Sequence, residues 1–563
     1  MIYHCEDHTC NYWDEGEKLP ERCPQCGRKL LRANEADMTG DDWTALGNTL
    51  WDAEASDKKR MVDCFRKAAY LGSAWGVCNL GICMEQGNGV EADPVQAFWL
   101  YQQAVEMGSL NAVCCLGVCY QYGIGTAPDA KQAAELYCKA AEYGSPRGQM
   151  LLARAFHDGI GVEADAAEAV HWVRAAAYQR YGEGMYWLGV CYEYGDGVEQ
   201  NWEHAVHWFR EAAESGVSVA MTDLGYCYEK GCGVEQSWEQ AFSWYRRGAE
   251  CGNPVSMSNL GLCYKRGYGV EQNWQEAIKW YEQGAQCGDL QSMHNLARCY
   301  ERGEGVEQNE DRALYWYRRG AEAGSDYCMY CLGWNYSNGE GVEQNMTEAI
   351  RWYTAAAEGG NADAMHDLGW LYDHGEGVEQ DMKKAICWYE RAAEQNHPAA
   401  MNSLGECYAM GRGVPRDLET AMEWYRRAAE LGEAMADYNM GWHLEQAGKL
   451  SEAYAHYRKA ADGNDDSAWW ALGRFYENGV VVAQDGKEAR RCYETGEKLG
   501  SVKCKMRLAR CKLLGIGGRR AKKAGLDLCR QALELAKESS EKEDYGYEAE
   551  MNLLRRTIAE NES

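Results

Sequence analysis

The sequence contains no long apolar run, and it has fewer basic than acidic residues. No segment reaches the roughly 18 consecutive apolar residues of a membrane-spanning helix. Residues 1–6 also lack the basic and apolar regions of a signal peptide. Lys and Arg total 58 against 87 Asp and Glu, a formal net charge of −29, whereas a nucleic-acid-binding surface needs an excess of positive charge. We therefore expect a soluble, cytoplasmic protein that binds neither nucleic acid nor membranes.

Signatures of common enzymes are absent as well. The sequence has no His-Glu-x-x-His, no phosphate loop ending in Gly-Lys-Ser or Gly-Lys-Thr, and no Gly-x-Ser-x-Gly. A recurring Gly-x-Gly-Val-Glu-Gln lacks the third glycine of a dinucleotide loop and follows a helical pattern instead of a strand. The 12 histidines are scattered. Together these absences favour a binding protein without catalytic activity.

What the sequence has instead is one unit repeated along most of its length. A Leu-Gly or Leu-Ala pair anchors each copy, and successive anchors are 36 residues apart over most of the chain. A fixed period of roughly 20–50 residues is typical of a solenoid. The anchor positions are Leu46, Leu80, Leu116, Leu152, Leu188, Leu224, Leu260, Leu296, Leu332, Leu368, Leu404, Met440, Leu472 and Leu508.

Each unit has the pattern of two helices. Apolar residues recur at helical spacing around Leu224 and again around Trp244, and Gly231 can end the first helix in a left-handed conformation. Trp-Tyr pairs such as Trp244-Tyr245 are interpreted as core residues of the second helix. A polar residue at one repeat position predicts the cap of each second helix. These caps are Asp93, Asp129, Asp165, Asn201, Ser237, Asn273, Asn309, Asn345, Asp381, Asp417 and Asp485.

The repeat resembles a known family. The pattern A-M-x-x-L-G-x-x-Y-x-x-G-x-G-V-E-Q-(N/D)-x-x-x-A-x-x-W-Y is similar to the Sel-one-like repeat (SLR), a relative of the tetratricopeptide repeat, over most of residues 41–537. The resemblance implies an all-α, α/α superhelical solenoid of about 13–14 SLR helix pairs whose members bind partner proteins. We expect the charged segment 57–60 to replace the glycine turn of the first pair. A capping helix near residues 545–559, within a tail of residues 538–563, would close the carboxyl-terminal end.

Cysteine is abundant, with 26 residues, and eight of them share one repeat position. Equivalent positions on stacked helices lie roughly 8–10 Å apart, too far for a disulfide, so we expect reduced core residues. Some SLR proteins staple each helix pair with a disulfide. This sequence has Glu214, Glu250 and Glu322 where the first cysteine of such a pair would stand. The eight cysteines are Cys83, Cys119, Cys191, Cys227, Cys263, Cys299, Cys407 and Cys511.

Residues 1–28 lie outside the repeat and predict a metal site, joined to the solenoid by a linker of residues 29–40. Cys5 and Cys10 precede a Cys-Pro-Gln-Cys-Gly segment containing Cys23 and Cys26, which resembles the knuckle of zinc ribbons and rubredoxins. Four thiolates predict a closed, structural Zn²⁺ site, with His8 as an alternative to Cys10. Iron and a metal-free redox pair are the other interpretations. A segment this short needs the metal for stability.

A partner-binding groove is expected on the first helices, by analogy with tetratricopeptide repeats. Its positions are the second residue before each anchor and the second, fifth and sixth after it. They hold aromatic anchors suited to peptides, and a basic cluster that could bind an acidic segment or a carboxyl terminus. The alternative for the basic cluster is a solvated face balanced by Glu229, Glu301 and Glu304. The predicted groove residues are Tyr226, Lys230, Lys265, Arg266, His294, Arg298, Arg302, Tyr330, Trp334, His366, Trp370 and Trp442.

The sequence thus predicts a non-enzymatic scaffold or adaptor that binds partner proteins or peptides in this groove. One alternative, carried by the resemblance, is the hydrolase or β-lactam-binding activity claimed for cysteine-rich SLR proteins. Another is a self-assembling structural spacer, which would be favoured if the chain's own carboxyl terminus or a second copy filled the groove.

Overall fold

The computed structural model describes residues 2–5, 13–15, 30–32, 35–51, 55–542 and 547–562, and this part of the chain contains 29 α-helices. The chain divides into two compact units, an amino-terminal unit of residues 1–292 and a carboxyl-terminal unit of residues 293–563. None of the helices in the described ranges is both long and apolar enough to cross a membrane. The prediction of an all-α repeat architecture is confirmed.

The amino-terminal unit begins with a small antiparallel sheet. Strands β1 (Ile2–Cys5), β2 (Trp13–Glu15) and β3 (Leu30–Arg32) are ordered β2-β1-β3, and a 3₁₀ helix (Glu35–Asp37) follows. The helices of this unit are α1 (Gly40–Thr49), α2 (Ala55–Tyr70), α3 (Ala74–Gln86), α4 (Pro94–Glu106), α5 (Leu110–Tyr122), α6 (Ala130–Glu142), α7 (Pro146–Asp158), α8 (Ala166–Tyr178), α9 (Gly182–Tyr194), α10 (Trp202–Glu214), α11 (Ser218–Lys230), α12 (Trp238–Glu250), α13 (Pro254–Arg266) and α14 (Trp274–Gln286).

Helix α15 (Leu290–Arg302) leads into the carboxyl-terminal unit. Helices α1 to α28 alternate as the first and second helices of fourteen pairs, and α29 follows the last pair. The remaining helices are α16 (Glu310–Glu322), α17 (Asp326–Asn338), α18 (Met346–Glu358), α19 (Ala362–His374), α20 (Met382–Glu394), α21 (Pro398–Met410), α22 (Leu418–Glu430), α23 (Ala434–Gln446), α24 (Leu450–Asp462), α25 (Asp466–Asn478), α26 (Gly486–Lys498), α27 (Val502–Leu514), α28 (Lys522–Lys542) and α29 (Glu548–Glu562).

The helix ends follow the polar residues and glycines of the repeat. Asn201, for example, accepts a hydrogen bond from the backbone N–H of His204 at 3.0 Å, which satisfies a donor that the first turn leaves without a partner. Gly231 ends α11 with φ of 75° in the left-handed region. The eleven predicted caps are confirmed, since each accepts a backbone N–H at the start of its helix.

Ring packing explains the Leu-Gly anchor. A Cβ atom at Gly225 would lie 2.6 Å from Cε1 of Tyr245, so a residue without a side chain lets α11 approach the ring on α12. The tyrosine of each Trp-Tyr pair is buried, while the tryptophan is mostly half-buried, as at Tyr281 and Trp280. The tyrosine is therefore the core residue of the pair, and the tryptophan lies at the edge of the core.

The Gly-x-Gly-Val-Glu-Gln turn has two structural roles. A Cβ atom at Gly233 would overlap the carbonyl oxygen of Trp202, so this glycine lets the turn rest on the start of α10 in the preceding repeat. The side-chain amide of Gln236 donates to the carbonyl of Glu229 at 2.8 Å and satisfies a carbonyl in the last turn of α11. The same contact is made by Gln200, Gln272, Gln344, Gln380 and Gln484, and by the guanidinium of Arg416.

Two expected boundaries are corrected. Segment 57–60, predicted as the turn of the first pair, lies inside α2, because its acidic residue suits a first helical turn and its basic residues are good helix formers. The terminal helix α29 (Glu548–Glu562) begins and ends later than residues 545–559. Its apolar residues Met551, Leu554 and Ile558 are buried in a cluster with residues of α27 and α28.

The eight cysteines at the shared repeat position are buried thiols, as predicted. Burial raises the pKa of Cys83, Cys227 and Cys263 to about 12, so these side chains stay protonated at neutral pH. They behave as small core residues rather than as nucleophiles.

Candidate partner-binding face

Within each unit, first helices of successive repeats contact one another. In the amino-terminal unit α1 contacts α3, α3 contacts α5, α5 contacts α7, and α7 contacts α9; in the carboxyl-terminal unit α25 contacts α27. Helix α11 contacts α13 as well, and Tyr330 on α17 bonds to Asp367 on α19, so within each unit predicted groove positions lie on neighbouring helices. We call these positions the first-helix face: the second residue before each anchor and the second, fifth and sixth residues after it.

Aromatic side chains project from the first-helix face at the second residue after the anchor. Tyr226 on α11 is 44% exposed, and in the carboxyl-terminal unit Trp334 on α17 is 46% exposed. Trp370 on α19 and Trp442 on α23 are each 38% exposed. In the carboxyl-terminal unit Trp334, Trp370 and Trp442 share this repeat position, with Glu406 on α21 between the last two.

The predicted residues before the anchor lie deeper. The rings of His294, Tyr330 and His366 are half-buried, with centroids 6.3, 5.7 and 5.8 Å from Tyr317, Tyr353 and Tyr389 on the second helices. The Tyr330 hydroxyl donates to Asp367 of the next first helix at 3.1 Å, and His366 lies 3.4 Å from the Ser403 hydroxyl on the helix after that. These side chains help to join successive repeats, and they offer less surface than the exposed aromatics.

Three of the predicted basic residues, Lys230, Lys265 and Arg302, have acidic or aromatic neighbours within their own units. Lys230 lies 2.8 Å from Glu229 and 5.8 Å from the Tyr226 ring, and its hydrogen bond with Glu229 raises its pKa. In the carboxyl-terminal unit Arg302 lies 4.0 Å from Glu304, and Arg298 is half-buried. Lys265 lies over the Trp274 ring, and Arg266 is exposed at the end of α13. Local acidic partners thus offset part of the positive charge.

Trp442 borders a cavity of about 510 Å³ in the carboxyl-terminal unit, which charged and aromatic side chains line together. Arg412 and Glu406 line it, and Arg412 lies 3.0 Å from Asp373 and 3.8 Å from Glu406. The carboxylate of Asp373 is 4% exposed, so the Arg412 guanidinium is held in place by a buried partner. The sequence carried no signal of this role for Arg412, because Arg412 occupies the variable position between Gly411 and Gly413 of the turn.

A second cavity, of about 560 Å³, was not predicted. It lies in the amino-terminal unit between α7, α8 and α9, and Trp187, Val190 and Tyr194 contribute side chains from α9. Its floor is apolar, and the ring of Trp187 is 39% exposed. Val190 and Tyr194 occupy positions of the first-helix face, so the cavity opens on that face. The sequence does contain a signal for this cavity, because Val173 occupies a position of the second helix that is aromatic in the neighbouring repeats, as at Tyr137 and Phe209.

The predicted metal ligands lie mostly outside the described residues. This holds for His8, Cys10, Cys23 and Cys26, and for Cys5 only the backbone is described, at the end of β1 opposite Leu30 of β3. Among the side chains that the structure does describe, no group of three or more His, Cys, Asp or Glu residues is placed to hold a metal ion.

The repeat of this chain matches a known protein family. The Sel1 repeat matches twelve segments, which together cover most of the chain: residues 76–109, 112–145, 146–181, 182–217, 218–253, 254–289, 290–325, 326–361, 362–397, 398–433, 434–465 and 468–501. The chain belongs to the Sel1 repeat family. The Sel1 repeat solenoid is a fold typically used for protein–protein interaction.

Two solved structures are similar to this chain. A protective antigen of uropathogenic Escherichia coli strains, c5321, which displays an SLR fold, is 29% identical with a TM-score of 0.52, and the match covers 89% of this chain and 94% of the antigen. A Sel1 repeat protein from Oxalobacter formigenes is 32% identical over 43% of this chain and 96% of its own, with a TM-score of 0.40. A search of curated proteins found no match.

Proposed function

We propose that this Sel1 repeat protein is a non-enzymatic scaffold or adaptor that binds partner proteins or peptides on its first-helix face. The observation that carries the proposal is the set of exposed aromatic rings at one position of that face, Tyr226, Trp334, Trp370 and Trp442. Aromatic side chains on rigid helices lose little conformational entropy on binding and are frequent anchors of interfaces.

The basic residues of the face contribute to the choice of partner. Lys230 pairs with Glu229 and Arg302 pairs with Glu304, so an acidic peptide segment would compete with these two carboxylates. Such charge pairs at the rim contribute mainly to association rate and specificity. The buried thiols support a cytoplasmic location, since thiols persist in a reducing compartment.

The test compares two sets of substitutions in the carboxyl-terminal unit. Trp334→Ala, Trp370→Ala and Arg302→Ala remove exposed groups from the first-helix face. Tyr315→Ala removes a ring of similar exposure, 52%, from the second helix α16. Partners retained from native cytosol by the intact chain are identified by mass spectrometry, and their affinities are then measured with purified proteins.

We expect the substitutions on the first-helix face to weaken binding by about 10-fold or more, because each anchor of an interface contributes more than about 1 kcal/mol. Tyr315→Ala should leave the affinity unchanged. Equal affinity for both variants would refute the proposal.

The alternatives gain less from the structure. The described cysteines are thiols, unlike the disulfide-stapled proteins on which the hydrolase alternative rests. For the spacer alternative, α29 does meet the first-helix face, where Glu550 accepts a hydrogen bond from the Trp470 indole at 3.2 Å and an ion pair from Arg507 at 2.6 Å. In the described part of the chain α29 packs on α27 and α28 and reaches Trp470 on α25, whereas the rings of Trp334, Trp370 and Trp442 stay exposed.

The amino-terminal cysteines support a separate structural proposal, that Cys5, Cys23, Cys26 and either Cys10 or His8 hold Zn²⁺. Cys5 ends a strand of a three-stranded sheet that is too small to be stable without further support. Metal analysis of the intact chain and of Cys23→Ser tests it. One equivalent of zinc in the intact chain, lost in the variant, is the expected result, and a zinc-free intact chain purified without chelator would contradict it.

A further inference from the structure

One core position of the second helices is aromatic in nearly every repeat. In α12 it is Tyr245, whose ring packs on Gly225 and whose hydroxyl donates to Glu229 at 2.9 Å. From α2 to α26, only α8 departs from this rule, with Val173. The aromatic residues are Phe65, Tyr101, Tyr137, Phe209, Tyr245, Tyr281, Tyr317, Tyr353, Tyr389, Tyr425, Tyr457 and Tyr493.

The hydroxyl of this tyrosine reaches a polar residue five positions after the anchor. Tyr101 donates to Glu85 at 2.6 Å and Tyr137 donates to Gln121 at 2.7 Å, as Tyr245 does to Glu229. The ring thus fills the space between the two helices, and its para substituent points toward the first-helix face.

The repeat of α7 and α8 lacks this ring and contains a cavity instead. Val173 lines the cavity of about 560 Å³ together with Ala153, Ala169 and Val170. This volume lies in the range of roughly 300–1,000 Å³ that is typical of ligand pockets. The acceptor position, five residues after the anchor Leu152, is occupied by His157, which also lines the cavity.

The rim of the cavity is polar, and its carboxylates outnumber the basic side chains that pair with them. His157 lies 2.6 Å from Asp158 and 3.3 Å from Asp196, so one imidazole is shared by two carboxylates. Arg154, the other basic residue of the rim, lies 4.0 Å from Glu183. A cation brought by a ligand would find a second partner at Asp158 or Asp196.

We infer that this cavity binds the aromatic side chain of a partner protein, with a basic residue of the partner beside it. The incoming ring would lie in the cavity beside the place that Tyr137 and Phe209 occupy in the neighbouring repeats, because the methyl group of Ala153 stands where those rings meet a glycine. A para-hydroxyl group would meet His157, and the neighbouring cation would pair with Asp158 and Asp196. The inference rests on the proposed function, because the ring is taken to belong to a partner bound on the first-helix face.

The first experiment uses p-cresol, the side chain of tyrosine, with the full chain in ligand-observed NMR and in crystal soaks. Val173→Tyr supplies the missing ring from the chain itself and should weaken p-cresol binding at least about 10-fold, the equivalent of roughly 1.4 kcal/mol. Tyr245→Val is the reciprocal control, since it should open a second site in the repeat of α11 and α12. Val173→Phe replaces the tyrosine variant if that variant does not fold.

The second experiment tests the charge with two peptides, acetyl-Lys-Tyr-Lys-amide and acetyl-Glu-Tyr-Glu-amide. The lysine peptide should bind more tightly to the intact chain, and Asp196→Asn should reduce the difference. Equal affinity of the two peptides would contradict the inference that a basic residue of the partner lies beside the ring.

The inference that the cavity binds an aromatic ring would be overturned if p-cresol did not bind the intact chain. It would also be overturned if p-cresol bound the intact chain and the Val173→Tyr variant with equal affinity. If Val173→Tyr retains every partner that the intact chain binds while Trp334→Ala and Trp370→Ala lose one, the inference fails and the proposed function stands. If the variants on the first-helix face and Val173→Tyr all retain the same partners, both fail.

Discussion

Two repeats of the amino-terminal unit differ in whether their core is filled. In the repeat of α11 and α12, Tyr245 is buried against Gly225 and its hydroxyl bonds to Glu229. In the repeat of α7 and α8, Val173 stands at the same position and a cavity opens beside it. The anchors of the two repeats differ as well, with Leu224-Gly225 in the filled repeat and Leu152-Ala153 in the open one. The comparison shows that a recurring residue reports what the stack needs, whereas a departure in one repeat marks a place where something else can bind.

The largest effect is expected from removing the ring in the filled repeat. Tyr245→Ala should lower the free energy of unfolding by about 3–5 kcal/mol, because it leaves a cavity where the ring packed. Val173→Ala should cost only about 1–2 kcal/mol, since two carbon atoms are lost from a site that is already open. Urea unfolding of the full chain, with hydrogen exchange on α11 and α7, measures both. Equal losses would mean that the two cores do not differ.

The anchor glycine offers the next test. Gly225→Ala should destabilise the filled repeat by about 1–3 kcal/mol, because its new methyl group would meet the Tyr245 ring. The reverse change, Ala153→Gly, should cost at most about 1 kcal/mol, the conformational penalty of glycine in a helix. Thermal unfolding of the two variants is compared with that of the intact chain. A neutral Gly225→Ala would contradict the role given to ring packing.

Filling the cavity of the open repeat should increase the stability of the chain instead of lowering it. In a chain that carries Ala153→Gly, which makes the room that Gly225 gives Tyr245, Val173→Tyr is expected to raise the free energy of unfolding by about 0.5–2 kcal/mol, as cavity-filling substitutions commonly do. Val206→Tyr is the matched control, because Val206 is 2% exposed and borders none of the cavities described above. That control should be destabilised by overpacking. A shift of the same sign in the two variants would indicate that the cavity does not determine the result.

The smallest effect concerns His157 at the rim of the open repeat. Its hydrogen bond with Asp158, together with the nearby Asp196, raises its pKa above the usual value of about 6.5. The charged pair therefore stabilises the repeat fully below pH of about 6.5, and this contribution is lost as the pH rises through the higher pKa of the folded state. NMR titration should show the raised pKa and its decrease in Asp158→Asn; His157→Gln identifies the resonance. If the pKa of His157 were unchanged in Asp158→Asn, the hydrogen bond with Asp158 would not be the cause of its raised value.

Much of the fold could be predicted from the sequence because its signals are local and repeated. A cap such as Asn201 acts on the helix that it begins, and a glycine such as Gly231 ends the helix that it follows, so both are readable without any tertiary contact. The buried cysteines followed from their shared position. Gln236 was missed because its carbonyl partner, Glu229, belongs to the preceding helix, and segment 57–60 was misplaced because no glycine marks that turn.

Only some of the residues of the candidate site have the exposure that the sequence predicted. Exposed Trp334 and Trp370 were predicted from the repeat position. His366 and Tyr330, predicted beside them, are half-buried and bonded to neighbouring repeats. Exposure depends on the side chains that neighbouring repeats bring, which a pattern within one repeat does not contain.

The sequence by itself determined the period, the two helices of each unit, their caps and the position of the anchor, because these depend on backbone preferences and on apolar spacing within one unit. The tertiary structure decided that Val173 leaves an open cavity, that His157 is shared by Asp158 and Asp196, and that Glu550 ties α29 to Trp470. Those outcomes depend on which side chains from separate helices meet and on how well they fill the space between them, and this is set only when the repeats stack.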